Sequence, residues 1–421
     1  MTECCNPGPL TLRISVTERC QLRCAYCSPP DGMRRGGRRT PRPHASSSAV
    51  IFDRTNPPAQ RAGGTAASGG ELSFDAIVRF VRVVQSRFGL AGGRPSTVVR
   101  LTGGEPLLRP RLDALIEMLA AEGVRELALT TNGQLLHEAA PTLARAGLSR
   151  VNVSLDSLKP SVFEELTRGG DLRRTLRGLD TALACGLQPV KTNTVLLRGI
   201  NDGEVIDLVR FGLASNCQVR FLELMPIGIA QSHFEHWFVP ASEPLARIAA
   251  EFDLQPVGAD PRACSQRVGA GPRTCPQRVG ADPRACPQRV GAGPRACPQS
   301  VGARACASGH GTCDRNGRQA APTGRGTSRN YLVRDDAGRS TIVGFIAPCS
   351  QPFCDGCRRL RLTSSGRLLG CLAQRHGRNI RPLLDSPGCD DSIAAAICDA
   401  LLVKQRERRF QQQHAMAAIG G

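Results

Sequence analysis

The chain has 421 residues, with 55 Lys and Arg against 36 Asp and Glu, a formal charge of +19, and few aromatics: 13 Phe, 2 Tyr and 1 Trp. The length admits one large domain or two to three ordinary ones, and no apolar run approaches the roughly 18 residues that would cross a bilayer. A basic chain attracts polyanions, nucleotide triphosphates as well as nucleic acid, but platforms for stacking single strands are not evident, so neither a specific nucleic acid nor a membrane is expected as partner. The 19 cysteines are odd in number and bunched, which favours metal ligation in a reducing compartment over disulfides. The start carries no apolar signal segment, so secretion is not expected. The cytoplasm and the mitochondrial matrix both remain open.

In chain order, residues 12–16 read as a strand that runs into Cys20-Gln-Leu-Arg-Cys24-Ala-Tyr-Cys27. Three thiols spaced C-x3-C-x2-C leave one iron of a four-iron cluster without a protein ligand, open to a small chelating cofactor. Residues 31–70 are rich in Gly, Pro, Arg and Ser and read as a flexible insertion. Regular structure is expected again near Glu71, where Phe74, Ile77, Val78, Val81 and Val84 keep helical spacing. Further strands are expected at 98–101, 127–133, 151–156, 190–195 and 219–225, with helices between them, one marked by Leu112, Leu115, Ile116 and Leu119. Repeated βα units imply a parallel sheet, open or curled into a partial barrel. Polar residues gather at the C-terminal strand ends, the face that holds the active site in barrels.

From Val257 an 11-residue unit recurs, starting again at Val268, Val279 and Val290, with a degraded copy at Val301. Each copy holds one cysteine: Cys264, Cys275, Cys286, Cys297 and Cys306. One valine per unit buries little on stacking. The segment therefore reads as a low-complexity insertion, with a loose metal–thiol array as the alternative. Residues 341–346 read as a strand. Cys354, Cys357 and Cys371 then form a C-x2-C-x13-C triad with Arg358, Arg359 and Arg361 beside it. Two sites fit that triad. One is structural zinc, with Cys349 or His376 as fourth ligand; the other is a second cluster with an open iron. Arginines in this setting suit bidentate binding of phosphate oxygens. A helix is expected from about residue 390, before a tail ending in Gly420-Gly421. The expected organisation is residues 1–30, first strand and cysteine loop; 31–70, insertion; 71–256, partial barrel; 257–326, repeat insertion and linker; 327–421, a C-terminal cluster domain.

The cysteine loop resembles that of the radical S-adenosylmethionine enzymes, and Thr102-Gly103-Gly104-Glu105-Pro106 looks like their second motif, which contacts the amino group of the cofactor. Two separated triads, the arginine-flanked second one and the Gly-Gly end together resemble the GTP 3′,8-cyclase family of molybdenum cofactor biosynthesis. The resemblance implies an incomplete (βα)6 TIM-type barrel with a C-terminal iron–sulfur cluster domain, two [4Fe-4S] clusters and S-adenosyl-L-methionine. It implies that a 5′-deoxyadenosyl radical abstracts hydrogen from C3′ of GTP, that the carbon radical attacks C8 of guanine, and that reduction gives (8S)-3′,8-cyclo-7,8-dihydroguanosine 5′-triphosphate. It also implies an electron donor, a homodimer, and cyclic pyranopterin monophosphate synthase as the downstream pathway partner. By motif, Cys20, Cys24, Cys27, Cys354, Cys357 and Cys371 are the cluster ligands. Arg13, Arg100, Thr102, Lys191, Arg220, Arg359 and Arg361 match substrate contacts, with Lys191 alternatively a simple point charge for phosphate. Tyr26, Gly104, Thr131, Ser154 and Asn193 match the cofactor side, as does Met225, for which a core role is equally open. Arg13, Arg359, Arg361 and the tail residues Gly420 and Gly421 match positions needed for turnover. Glu18, Gln21 and Arg358 stand where the family has Asp, Asn and Asn. Two other readings compete: another radical oxidoreductase with an auxiliary cluster, and a zinc-stabilised basic nucleic-acid-binding protein. The first usually carries a larger C-terminal cysteine set, and the second leaves the Cys20–Cys27 loop unexplained.

Overall fold

The computed structural model describes residues 10–27, 70–88, 90–91, 94–95, 97–257, 328–352, 357–374 and 377–404. Nearly all of 31–70, all of the repeats after Val257, Cys354, His376 and the Gly420-Gly421 end lie outside the described residues. The six expected strands form: β1 (Thr11–Ser15), β2 (Val98–Thr102), β3 (Glu126–Thr131), β4 (Arg150–Ser154), β5 (Lys191–Leu196) and β6 (Gln218–Glu223). They pair in that order, all parallel. Parallel neighbours need crossover connections, and helices supply them. These are α1 (Phe74–Phe88), α2 (Leu112–Ala121), α3 (Leu136–Arg145), α4 (Pro160–Thr167), α5 (Leu172–Ala184) and α6 (Val205–Ser215). Two more helices, α7 (Ala230–Trp237) and α8 (Ser242–Glu251), follow β6. The result is the expected incomplete α/β barrel.

Alternation within each strand decides which side faces what. Leu12, Ile14, Val99, Leu101, Leu127, Leu129, Val151 and Val153 are buried in one core with Ile77, Val81, Val84, Leu115, Ile116 and Leu119 of the helices. Their neighbours in sequence, Arg13 and Arg100 among them, must therefore point to the opposite, concave face. The helix α1 is set in place at its start by the Ser73 hydroxyl, which accepts from the Ala76 N–H at 3.1 Å.

The segment after residue 327 extends the same sheet at both edges. Strand β7 (Asp253–Val257) is antiparallel to β8 (Arg329–Arg334), which is antiparallel to β9 (Ser340–Ile346), and β9 lies parallel to β6. At the other edge β10 (Arg359–Leu362) lies parallel to β1, followed by antiparallel β11 (Arg367–Leu369) and β12 (Arg378–Asn379). A short helix α9 (Arg381–Asp385) and the final described helix α10 (Asp390–Lys404) pack beside α1. The parallel run is thus β10-β1-β2-β3-β4-β5-β6-β9, two strands wider than the six expected. The sequence 359–362 is too short and too charged to announce a strand; its pairing with β1 is a tertiary effect.

Candidate active site

Cys20, Cys24 and Cys27 lie on the loop that leaves the C-terminal end of β1. Backbone bonds from Arg23 N to Thr167 O (3.1 Å) and from Ala25 N to Leu166 O (2.8 Å) fix the loop to the end of α4. The preceding residues lie against the Gly-Gly-Glu loop after β2: Gly104 N donates to Thr17 O and Glu105 N to Arg19 O, each at 2.7 Å. A Cβ on Gly104 would stand 2.2 Å from Arg19 O, and one on Gly103 2.5 Å from Thr17 O. Both positions therefore need glycine so that the two loops can touch. Glu71 bonds Thr17 and Arg109 and lies 3.5 Å from Arg19.

Two carboxylates buttress this thiol site. Glu105 accepts from Thr131 Oγ1 at 2.7 Å, Asn132 N at 2.8 Å and Leu107 N at 3.1 Å. Burial nonetheless pushes its pKa up to about 7, because the three donors only partly offset desolvation. Asp156 accepts from Tyr26 Oη at 2.7 Å and Val195 N at 2.9 Å, and burial raises it to about 6. Asn132 Nδ2 donates to Cys20 Sγ at 3.8 Å and its Oδ1 accepts from Gln21. Burial, then Glu105, raises the Cys20 thiol to about 12, and burial, then Cys27, raises Cys24 as well. Thiols so penalised as anions suit coordination to a metal, which supplies the missing positive charge. Thr131 is held by Glu105, and Tyr26 packs among Leu166, Leu197 and Leu224. Ser154 lies at the end of β4. On the next strand, the buried Asn193 Oδ1 has no hydrogen-bond partner. Met225 packs with Ile227 and Leu372, close in sequence to Cys371.

The second thiol site sits at the opposite end of the strands. Cys357 immediately precedes β10, which starts level with Thr11 of β1. Antiparallel β11 returns the chain to that end, where Cys371 follows it. A hairpin thus explains why thiols so far apart in sequence share one edge. Cys357 Sγ accepts from Arg359 Nε at 3.1 Å and Cys371 Sγ from Ala373 N at 3.4 Å. Burial pushes the Cys357 thiol up, but Arg359 and Lys404 more than offset this and bring it down to about 7. Among the described residues no three His, Cys, Asp or Glu side chains close around one metal ion, Cys20, Cys24 and Cys27 included; the second triad is represented there by Cys357 and Cys371 alone. Cys349 bonds instead to Leu224 O through its Sγ at 3.5 Å and to Glu223 through its N–H.

Between the two ends runs a row of cations. Arg361, Arg13 and Arg100 are direct register partners on three adjacent strands. Arg150 continues the row one strand beyond Ala128, and Lys191 and Arg220 follow on β5 and β6. Arg150 pairs with Glu126 of the neighbouring strand. The Nε atoms of Arg13 and Arg100 are buried without a partner. Burial, then neighbouring arginines, lowers Arg13 and Arg100 well below the ordinary value, Arg220 to about 10 and Arg361 to about 9. Burial, then Arg220, drops Lys191 to about 6. An arginine stays charged regardless, so these shifts express the burial and mutual repulsion of the row. Desolvating even one ion costs several kcal/mol. From Thr11 to Ser15 β1 rises about 13 Å at roughly 3.3 Å per residue, and the row crosses the sheet at the level of Arg13, midway along it. Glu105, Asn132, Asp156, Arg150 and Lys404 were not singled out by sequence. Only Glu105 had a local signal, as the acid of the Gly-Gly-Glu turn.

The Radical SAM superfamily model matches residues 14–212 and the Molybdenum Cofactor Synthesis C model residues 312–410. The GTP 3′,8-cyclase of Pelotomaculum thermopropionicum is 34% identical over 97% of this chain and 97% of its own length. That of Hydrogenovibrio crunogenus is 30% identical over 97% and 96%. Streptococcus suis SuiB bound to S-adenosylmethionine overlays on 52% of this chain and 40% of its own at 16% identity, with a TM-score of 0.36. With such identity to these cyclases along almost its whole length, the chain belongs to the GTP 3′,8-cyclase family of the radical SAM superfamily.

Proposed function

We propose that this chain carries out the family's reaction on GTP with two clusters, one at each end of the concave face. The observation that carries the reading is the cation row between two thiol sites, with buried guanidinium nitrogens left without partners. A triphosphate supplies the density of negative charge that such a row needs. The donor sets fit two clusters. Cys20, Cys24 and Cys27 hold the first, and Cys354, Cys357 and Cys371 the second. With three thiolates each, the triads would leave room for a further ligand at each cluster, S-adenosylmethionine at the first and the substrate at the second. When bound, the first cluster and its cofactor supply a 5′-deoxyadenosyl radical.

The chain's own residues do the rest. Gly103 and Gly104 let the cofactor loop reach the cysteine loop. Glu105 holds Thr131 and the Asn132 backbone, and Asp156 holds Tyr26 at the cofactor side. Ser154, Asn193 and Met225 complete that side, with the orphaned Asn193 Oδ1 offering an acceptor. Arg13, Arg100, Lys191 and Arg220 orient the phosphates and ribose, with Thr102 beside them. Arg359 and Arg361 hold the nucleotide against the second site. Gly420 and Gly421 are assigned to the same site as the tail that reaches it. The reading extends to a homodimer, a separate electron donor, cyclic pyranopterin monophosphate synthase as consumer of the product, and a reducing compartment, the cytoplasm or the mitochondrial matrix. No helix among the described residues is long and apolar enough to cross a membrane.

The test is anaerobic purification with iron and sulfide analysis, followed by incubation with reductant, S-adenosylmethionine and GTP and mass spectrometry of the products. Two clusters per chain and a cyclised nucleotide are expected. One cluster, zinc alone, or 5′-deoxyadenosine formed with GTP left unchanged contradicts the reading.

A further inference from the structure

The last turn of α10 is clamped to both described arms of the second thiol site. Lys404 Nζ donates to Arg359 O at 2.7 Å, so the ammonium is tied to the strand that Cys357 leads into. Lys404 is only 9% exposed, unusual for a lysine. It lies within electrostatic reach of both Cys357 and Cys371. On the other arm, a Cβ on Gly370, next to Cys371, would stand 2.0 Å from Ala400 O and 3.3 Å from Lys404 Cβ. The helix backbone therefore rests directly on the Cys371 loop. Its other end is held by Arg79 and Arg87 of α1, which pair with Asp390 and Asp391. Neither Lys404 nor Gly370 belongs to the cysteine pattern.

We infer that Lys404 is a positioning residue for the second cluster: its buried ammonium neutralises thiolate charge at Cys357 and Cys371 and holds the end of α10 against these two arms. The inference rests on the two-cluster reading above. A buried ammonium facing thiolates offsets charge that burial would otherwise penalise. A single bond to a backbone carbonyl would not by itself justify burying it. Residues of this supporting kind typically change metal affinity about 10- to 100-fold when replaced.

The test compares wild type with Lys404→Met and Lys404→Arg, all purified anaerobically with their clusters. Measured are the rate at which a chelator extracts iron and the EPR-monitored reduction potentials of both clusters. For Lys404→Met, second-cluster iron should leave about tenfold faster or more, and its potential should fall because a nearby positive charge is gone. The first cluster should be unchanged, and Lys404→Arg should restore most of the effect. Unchanged extraction and potential in a folded, two-cluster Lys404→Met protein would overturn the inference. So would equal effects on both clusters, or a failure of Lys404→Arg to rescue. A wild type with a single cluster would instead overturn the two-cluster reading, a distinguishable result.

Discussion

The two thiol sites share a three-cysteine pattern yet sit in opposite electrostatic surroundings. Carboxylates, Glu105 and Asp156, back the first, and burial raises the Cys20 thiol to about 12. Cations, Arg359, Arg361 and Lys404, back the second, and the Cys357 thiol comes down to about 7. Hydrogen bonds and net charge around a cluster set its potential over a wide range. Anionic surroundings disfavour adding an electron, so a cluster held there is a strong reductant once charged. Cationic surroundings favour holding an electron-rich, anionic ligand. The difference supports the proposed division, with radical generation at the first site and substrate retention at the second.

The sharpest way to break that division is to remove thiols one site at a time. Cys24→Ala should abolish S-adenosylmethionine cleavage outright, whereas Cys371→Ser should keep cleavage within severalfold and lose the cyclised product. 5′-Deoxyadenosine and the nucleotide products are quantified together; loss of cleavage in both variants would erase the division. Next in size is Gly104→Ala. With a Cβ 2.2 Å from Arg19 O, the two loops must part, so first-site iron should fall well below wild type while second-site iron stays.

Arg100→Gln separates binding from stability. Charge-assisted bonds contribute roughly 1.5–3 kcal/mol, so GTP affinity should drop about tenfold to a hundredfold. The nucleotide-free protein should melt higher, because one member of a mutually repelling row is gone. A lower melting temperature would mean that the row is not under strain. Lys191 gives a pH signature. Its folded pKa, about 6 against an ordinary 10.5, lies below the unfolded value. Its contribution to stability is therefore full above the unfolded pKa and is lost as pH falls toward 6. Lys191→Met should flatten the pH dependence of the melting temperature in that window. Phosphate binding should recharge the amine, so GTP binding near pH 8 should take up protons. Calorimetry in buffers of different ionisation enthalpy detects this, and equal heats would contradict it. The smallest effect concerns the repeats. Val257 and Asn330 are register partners on antiparallel strands. Replacing residues 258–327 with an Asn-Gly turn should leave cluster content, turnover and melting temperature nearly unchanged.

Much of the barrel was legible because its strands alternate: Leu12 and Ile14 point one way and Arg13 the other. Helices such as α1 declared themselves by spacing. Arg13, Arg100, Lys191 and Arg220 were each visible in a motif, but that they form one row is a fact of register between strands far apart in the chain. Strand β10 stayed hidden because its four residues become a strand only against β1, nearly 350 positions earlier in the chain. Lys404 and the Glu126–Arg150 pair had no local pattern; distant packing alone gives them meaning.

The central claim is that GTP bridges the two sites with its ribose facing the first. Incubation with 3′-deuterated GTP, S-adenosylmethionine and reductant tests it most directly, read as deuterium in 5′-deoxyadenosine. One deuterium per turnover, lost in Cys371→Ser although cofactor cleavage continues, is the predicted result. Unlabelled 5′-deoxyadenosine from the wild type would contradict it.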